Sequence, residues 1–221
     1  MFITFEGPEG SGKTTQMNRL AAWLRERGYD VLTTREPGGT AIGDRVRAIL
    51  LDPVATEMEA ETEALLFSAA RAQHVRQVIL PHLRRRPLGV VLCDRFADST
   101  LAYQGYGHGL DLAQLAVITA FATGGLKPDL TIYLDLDVEV GLRRKALAAG
   151  QDAAQWNRME QRALDYHRRV RDGYRAMAAA EPQRWLVVDA AQPLEEVQAQ
   201  IRQGLAPRLP ALDRSPVAGE R

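Results

Sequence analysis

The stretch Gly7-Pro8-Glu9-Gly10-Ser11-Gly12-Lys13-Thr14, followed by Thr15, fits the spacing G-x-x-x-x-G-K-[ST]. No other feature constrains the fold as much, because the pattern works only between a strand and a helix. Both flanks are present. Phe2 to Phe5 is a short apolar run that reads as a buried strand. From Lys13 onward, Met17, Leu20, Ala21 and Leu24 fall at the i, i+3, i+4, i+7 spacing of a helix face. Gly28 stands where a left-handed cap would end that helix. Between the two, glycines let backbone N–H groups turn inward around phosphate oxygens, and the helix start adds its positive end. Lys13 is placed to reach β- and γ-phosphates, and the Thr14 hydroxyl to help hold Mg²⁺. The bland reading is a glycine-rich turn from strand to helix; the flanks favour nucleotide binding.

Further along, apolar runs at Val31–Thr34, Val90–Cys93, Leu130–Leu134 and Trp185–Val188 read as strands. Helical patterns separate them at Thr62–His82, around Leu101, at Leu112–Phe121 and across the charged stretch Val138–Ala180. Strands alternating with helices predict an α/β fold with a parallel sheet covered on both faces. The expected organisation is one domain over residues 1–208, with 209–221 as a polar, proline-punctuated tail. Lys plus Arg and Asp plus Glu both total 28, so no global basic field invites nucleic acid. An anion site must therefore be built locally. No apolar stretch is long enough to span a membrane, and the single cysteine, Cys93, fits a reducing cytoplasm.

Asp94-Arg95 closes the third strand and is the second anchor. An aspartate at a strand's carboxyl end beside the phosphate loop can support Mg²⁺ through water. Arg95 can grip an anionic acceptor with its planar fork. The alternative is a local ion pair at the strand end. Cys93 points away from Asp94 on the alternating strand and reads as a core residue. A GTPase switch would read guanine through Asn-Lys-x-Asp, and neither Asn18 nor Asn157 begins that motif.

Five pieces then occur in order: Glu6 to Thr15, Arg35-Glu-Pro-Gly-Gly-Thr40, Phe67-Ser-Ala-Ala-Arg-Ala-Gln-His74, Asp94-Arg95, and Ser99-Thr-Leu-Ala-Tyr-Gln-Gly105. Together they resemble bacterial thymidylate kinase from Met1 to about Leu205. The resemblance implies a P-loop kinase fold of three layers, a five-stranded parallel sheet flanked by helices, with a small helical lid at about 141–160. It also implies a homodimer, ATP as co-substrate, and phosphorylation of dTMP to dTDP in dTTP synthesis. The alternatives are another nucleoside or nucleoside-monophosphate kinase, or a nucleotide-sensing regulator that turns nothing over.

The resemblance assigns roles residue by residue. Phe67 stacks on thymine, Arg71 bonds its O4, and Ser99, Thr100 and Gln104 lie near the acceptor. Tyr103 crowds the sugar's 2′ position, and Glu36 and Pro37 border the sugar and α-phosphate. Phe67 and Arg71 are four apart on a helix and so share a face, which suits one base. Some thymidylate kinases carry an arginine inside the loop, at the position occupied here by Gly10; with a glycine there, this chain resembles the bacterial class that delivers the positive charge from the lid. Arg158 is expected to act as a cis arginine finger, with Arg144 at the ATP phosphates or Lys145 assisting.

Overall fold

The computed structural model describes residues 1–84, 89–149 and 162–210. Five strands form one wholly parallel sheet: β1 Phe2–Glu6, β2 Asp30–Arg35, β3 Gly89–Asp94, β4 Leu130–Asp135 and β5 Trp185–Asp189. Their spatial order is β2-β3-β1-β4-β5, which puts β1 at the centre between β3 and β4. The helices are α1 Lys13–Arg25, α2 Ala41–Leu51, α3 Ala60–His74, α4 Leu80–Leu83, α5 Ala97–Thr100, α6 Leu112–Thr123, α7 Val138–Ala149, α8 Leu164–Ala180 and α9 Leu194–Leu205. α3 runs into α4 through π-helical turns at Val75–Ile79, and α5 continues as a π-helical segment over Leu101–Gly107.

The pleat sorts side chains onto two unlike faces. Ile3 and Phe5 of β1, with Val90 and Leu92 of β3, join Leu20 and Leu24 of α1 and Ile201 and Leu205 of α9 in one apolar core. The opposite face carries Phe2, Val91 and Cys93, then a cluster of Tyr103, Tyr133, Tyr166, Tyr174 and Trp185. On that face Thr4 meets Thr131 at 3.1 Å, and Thr131 donates to Asp98, itself paired with Arg184 at 2.6 Å. Glu6 points the same way and is fully buried. One layer is therefore hydrocarbon, and the other carries the polar groups that reach the site.

All five expected strands form, and the first helix starts at Lys13 as the spacing requires. Gly28 has φ of 90° and follows the helix end, with its N–H donating to Arg25 O. Three features differ from the sequence expectation. α2 forms on an N-cap, Thr40, whose Oγ1 accepts from Gly43 N at 2.9 Å, although only Gly43 and Leu50 of the helix are buried. With Ile42 and Ile49 exposed, there is little inward face for periodicity to detect. α9 also lies outside the expected elements, although Val197, Ile201 and Leu205 do show helical spacing. Among the described residues the charged stretch Val138–Ala180 is not one continuous helix: Arg162 and Ala163 are non-helical, and Ala163 is an extended cap for α8. Much of the expected lid, residues 150–161, lies outside the described residues, as does 211–221 of the expected tail. Pro210 is tied down, accepting from the Tyr29 hydroxyl at 2.8 Å.

Candidate active site

Two cavities meet at the carboxyl ends of β1 and β3, where open parallel sheets place their ligands. The first follows the phosphate loop and is lined by Gly10, Gly12, Lys13, Thr14, Thr15, Arg35 and Asp94. The second is walled by Pro37, Leu51, Phe67, Ser99, Thr100, Tyr103 and Gln104. Glu9, Glu36, Arg47, Arg95 and Lys145 line both.

The loop is shaped by left-handed backbone, which favours glycine. Gly10 has φ of 69°, and a Cβ there would sit 2.0 Å from the carbonyl oxygen of Gly141 in α7. In return, a Cβ on Gly141 would lie 2.2 Å from Glu9 O. The loop and the first turns of α7 thus touch backbone to backbone, and no side chain at position 10 could occupy that space. Lys13 Nζ donates to Gly7 O at 3.1 Å and Pro8 O at 2.8 Å, with Ser11 Oγ at 3.5 Å. Burial, and then the neighbouring Arg95, lower its pKa to about 8. The Thr14 hydroxyl donates to Asp94 Oδ2 at 2.5 Å. The hydroxyl and carboxylate expected at a Mg²⁺ site are therefore adjacent, at the mouth of the loop.

Arg95 is the hub of the second cavity. Its φ is 69°, a left-handed backbone that costs a non-glycine residue of order 1–3 kcal/mol. Arg95 N donating to Phe5 O at 2.9 Å helps hold it. Its guanidinium donates to Glu9 Oε1 at 2.6 Å, Gly7 O at 3.1 Å and the Tyr174 hydroxyl at 3.2 Å, and lies 4.8 Å over the Tyr103 ring. Burial would raise the Glu9 carboxyl, but Arg95, Lys13 and Lys145 outweigh it and hold Glu9 well below the usual carboxylate range. Tyr103 also donates to Glu9 Oε1, at 3.1 Å.

Behind Arg95 sits Glu6. It accepts from Phe96 N at 2.8 Å, Ser99 Oγ at 2.6 Å and the Tyr174 hydroxyl at 2.7 Å. Burial first, then Asp98, push its pKa up to about 7, against the lowering effect of Arg95 and the two hydroxyls. Cys93 is buried, its thiol pushed up by burial, and donates to Arg95 O at 3.0 Å, consistent with a core role.

The structure brings together nearly all the residues picked from sequence. Arg71 is the instructive departure. It is 1% exposed and sits outside the cavity lining, with Nε on Glu36 Oε2 at 2.7 Å, Nη1 on Thr100 Oγ1 at 2.9 Å and Nη2 on Phe96 O at 3.0 Å. Those bonds use three of its five N–H groups, leaving one on each terminal nitrogen. Arg144 is turned elsewhere, its Nη1 donating to Ala190 O at 3.0 Å, and Lys145 takes the place between the cavities. Arg158 lies outside the described residues. Sequence reasoning missed Arg47 and Tyr174. Arg47 follows the Gly38-Gly39-Thr40 turn on α2 and donates to Pro37 O at 3.0 Å, so a basic residue just beyond that turn was the available signal. Tyr174 had no local signal, since it reaches Glu6 from 168 positions away.

The family described as "Thymidylate kinase" matches residues 5–201. The chain belongs to the thymidylate kinase family. It is 54% identical over 221 residues to the thymidylate kinase of Roseiflexus sp. (strain RS-1), covering 97% of each chain. To that of Deinococcus radiodurans it is 56% identical over 201 residues, covering 91% of this chain and 94% of the relative. The crystal structure of thymidylate kinase from Ehrlichia chaffeensis superposes with a TM-score of 0.73 at 34% identity, over 93% of this chain and 98% of that one. The fold is therefore a family fold, and the two cavities are its candidate nucleotide sites.

The buried Glu6 gives this site a pH signature. A carboxyl harder to ionise in the fold than in the unfolded chain adds stability below its ordinary pKa of 4.5 and loses it as pH rises towards about 7. The stability of the native chain relative to Glu6→Gln should fall between those values and level off on either side. Urea unfolding of both proteins across that range checks this; a difference that is flat or rises with pH would refute it.

Proposed function

We propose that this chain transfers the γ-phosphoryl group of ATP to dTMP, giving ADP and dTDP. One observation carries the reading: Arg47, Arg95 and Lys145 line both the phosphate-loop cavity and the pocket walled by Phe67 and Tyr103. Two anions bound in those cavities would meet at shared cations. Family membership supplies the substrate pair.

The chemistry needs little more than placement. The acceptor phosphate, with a second pKa near 6, is mostly dianionic at neutral pH and attacks without a general base. One phosphorus–oxygen bond forms to it as the bond to ADP breaks. The protein's task is to hold two repelling anions in line while charge spreads over the transferred group. Lys13 would leave the carbonyls of Gly7 and Pro8 for the β- and γ-phosphates, regaining its full charge beside them. Arg95 and Arg47 would hold the acceptor phosphate, Ser99 and Thr100 the polar rim, and Phe67 the face of the base. Glu36 and Pro37 would border the sugar, and Tyr103 would close its 2′ side. Arg71 would offer a remaining N–H to thymine O4.

Mg²⁺ fits the residues present. Among the described residues no group of three or more His, Cys, Asp or Glu could hold a metal. A Mg²⁺ bound chiefly by phosphates and water needs only the adjacent Thr14 hydroxyl and Asp94 carboxylate. When bound it would neutralise charge on the β- and γ-phosphates. Among the described residues no helix is long and apolar enough to cross a membrane. We place the protein in the cytoplasm, where its single buried thiol would stay reduced.

We also infer a homodimer. α2, α3 and α6 pack side by side, and each exposes apolar side chains, among them Ile49, Leu65, Val117 and Phe121. α6 carries no charged residue from Leu112 to Thr123, and a helix apolar on all sides is usually buried. A second copy offers a matching apolar surface through two-fold symmetry.

Three outcomes are expected. A panel of nucleoside monophosphates with coupled ADP detection should show turnover with dTMP far above dCMP, GMP or AMP, and none with Lys13→Ala. Binding of ATP and dTMP without turnover would instead favour a sensor. In single-turnover kinetics Lys145→Ala should slow transfer at least about tenfold, and Arg144→Ala less, because of these two Lys145 alone borders the cavities; the reverse order would return the role to Arg144. Light scattering should find a dimer that Phe121→Glu converts to monomer, and a monomeric native chain would remove the dimer proposal.

A further inference from the structure

The acceptor pocket has a polar support that its lining residues do not reveal. Gln104 is 1% exposed and lines the pocket, on the π-helical segment after α5. Its Nε2 donates to Glu63 Oε1 at 2.7 Å. Glu63 is fully buried, on α3 one helical turn before Phe67. Its other oxygen accepts from Arg162 Nη2 at 2.8 Å, and His108 Nε2 lies 3.3 Å from Oε1. Arg162 in turn lies 5.1 Å over the Tyr166 ring, and Tyr166 donates to Tyr103 O at 3.2 Å. Both carboxylate oxygens of this α3 residue are thus engaged, by groups on and just after the π-helical segment and just before α8.

An amide beside a carboxylate has one sensible orientation. Its nitrogen must face the acceptor, because two oxygens would repel. With one Nε2 hydrogen given to Glu63, the nitrogen end of the amide is anchored on the carboxylate, and the carbonyl oxygen is the end turned away from it that Gln104 can offer a base. An acceptor suits the N3–H of thymine and opposes the N3 lone pair of cytosine.

We propose that Glu63 is a positioning residue for base selection, anchoring the nitrogen of the Gln104 amide so that its carbonyl oxygen faces the base. This rests on the dTMP kinase reading. It adds a second discriminating contact beside Arg71, at a different edge atom of the base. Arg162 contributes by engaging the second carboxylate oxygen, so that the carboxylate cannot turn away from Gln104.

Glu63→Gln tests this sharply. The new amide would give its oxygen to the Arg162 cation, since a charged donor makes the stronger bond. Its NH₂ would then face Gln104, whose amide would turn over and offer N–H to the pocket. The ratio of kcat/KM for dTMP to that for dCMP should fall by about 10- to 10²-fold, with KM for ATP unchanged. Gln104→Met should lower the same ratio. The double variant should do no worse than Gln104→Met alone, because Glu63 acts through Gln104. A Glu63→Gln protein that is less stable but keeps the native ratio, or additive losses in the double variant, would reduce Glu63 to a structural ion pair and overturn the inference. Should Glu63→Gln not fold, an unchanged ratio in Gln104→Met would overturn it equally. Native protein without dTMP turnover would instead refute the underlying reading.

Discussion

The Arg95 guanidinium, clasped by the Glu9 carboxylate, the Gly7 carbonyl and the Tyr174 hydroxyl, joins the loop after β1 to the end of β3. A guanidinium withdrawn from water is tolerated only where charge and hydrogen bonds replace its hydration. Glu9 supplies the charge, and the ring of Tyr103 adds a cation–π face. The backbone of Arg95 is forced into a left-handed conformation to aim that side chain inward. Much of the site's geometry follows from this one placement, since Glu6, Ser99, Tyr103 and Tyr174 are all arranged around it.

The chain balances 28 basic against 28 acidic residues, so its anion sites depend on local concentration of charge. Lys13, Arg47, Arg95 and Lys145 converge on one cleft, and Glu9 is the counterion at their centre. Burial first, and then the neighbouring Arg95, lower the Lys13 pKa to about 8. Phosphates arriving in the cleft would meet these cations together, which makes the charged cleft an attractive target for polyanions. The glycine pair Gly10 and Gly141 fixes where α7 delivers Lys145, because any side chain at either position would force the helix off the loop.

Parallel-sheet architecture explains why these parts come from distant segments. Each strand ends at the same edge, and each following loop brings its residues there. The loop after β1 leads into Lys13 at the start of α1, the one after β2 carries Glu36, and the one after β3 carries Arg95. The second cavity adds α3 and the π-helical segment after α5, whose wider turns bring Tyr103 and Gln104 to one wall. That wall's support lies deeper, in Glu63 and Arg162, where neither side chain need touch a nucleotide to matter.

Several features were legible in the residues themselves. The phosphate loop, the strands with their central apolar runs, Asp94-Arg95 and the acceptor motifs are local patterns, each governed by chain neighbours or by period. Lys13 beside the loop and Thr14 beside Asp94 follow from them almost directly. Helix α2 escaped because its apolar residues face outward, and the break before α8 escaped because charged helices look alike from end to end. Side-chain partnership across long separations was not legible at all. Nothing near Arg71 in the chain announces that Glu36, Thr100 and Phe96 would claim it, and nothing near Glu6 announces Tyr174. The phosphate loop and the parallel α/β frame are written in the residues alone, because both arise from short-range geometry. Which cations stand between the cavities, and which carboxylate meets Gln104, emerge only in the folded chain, because burial and hydrogen-bond partners exist only once distant segments have packed.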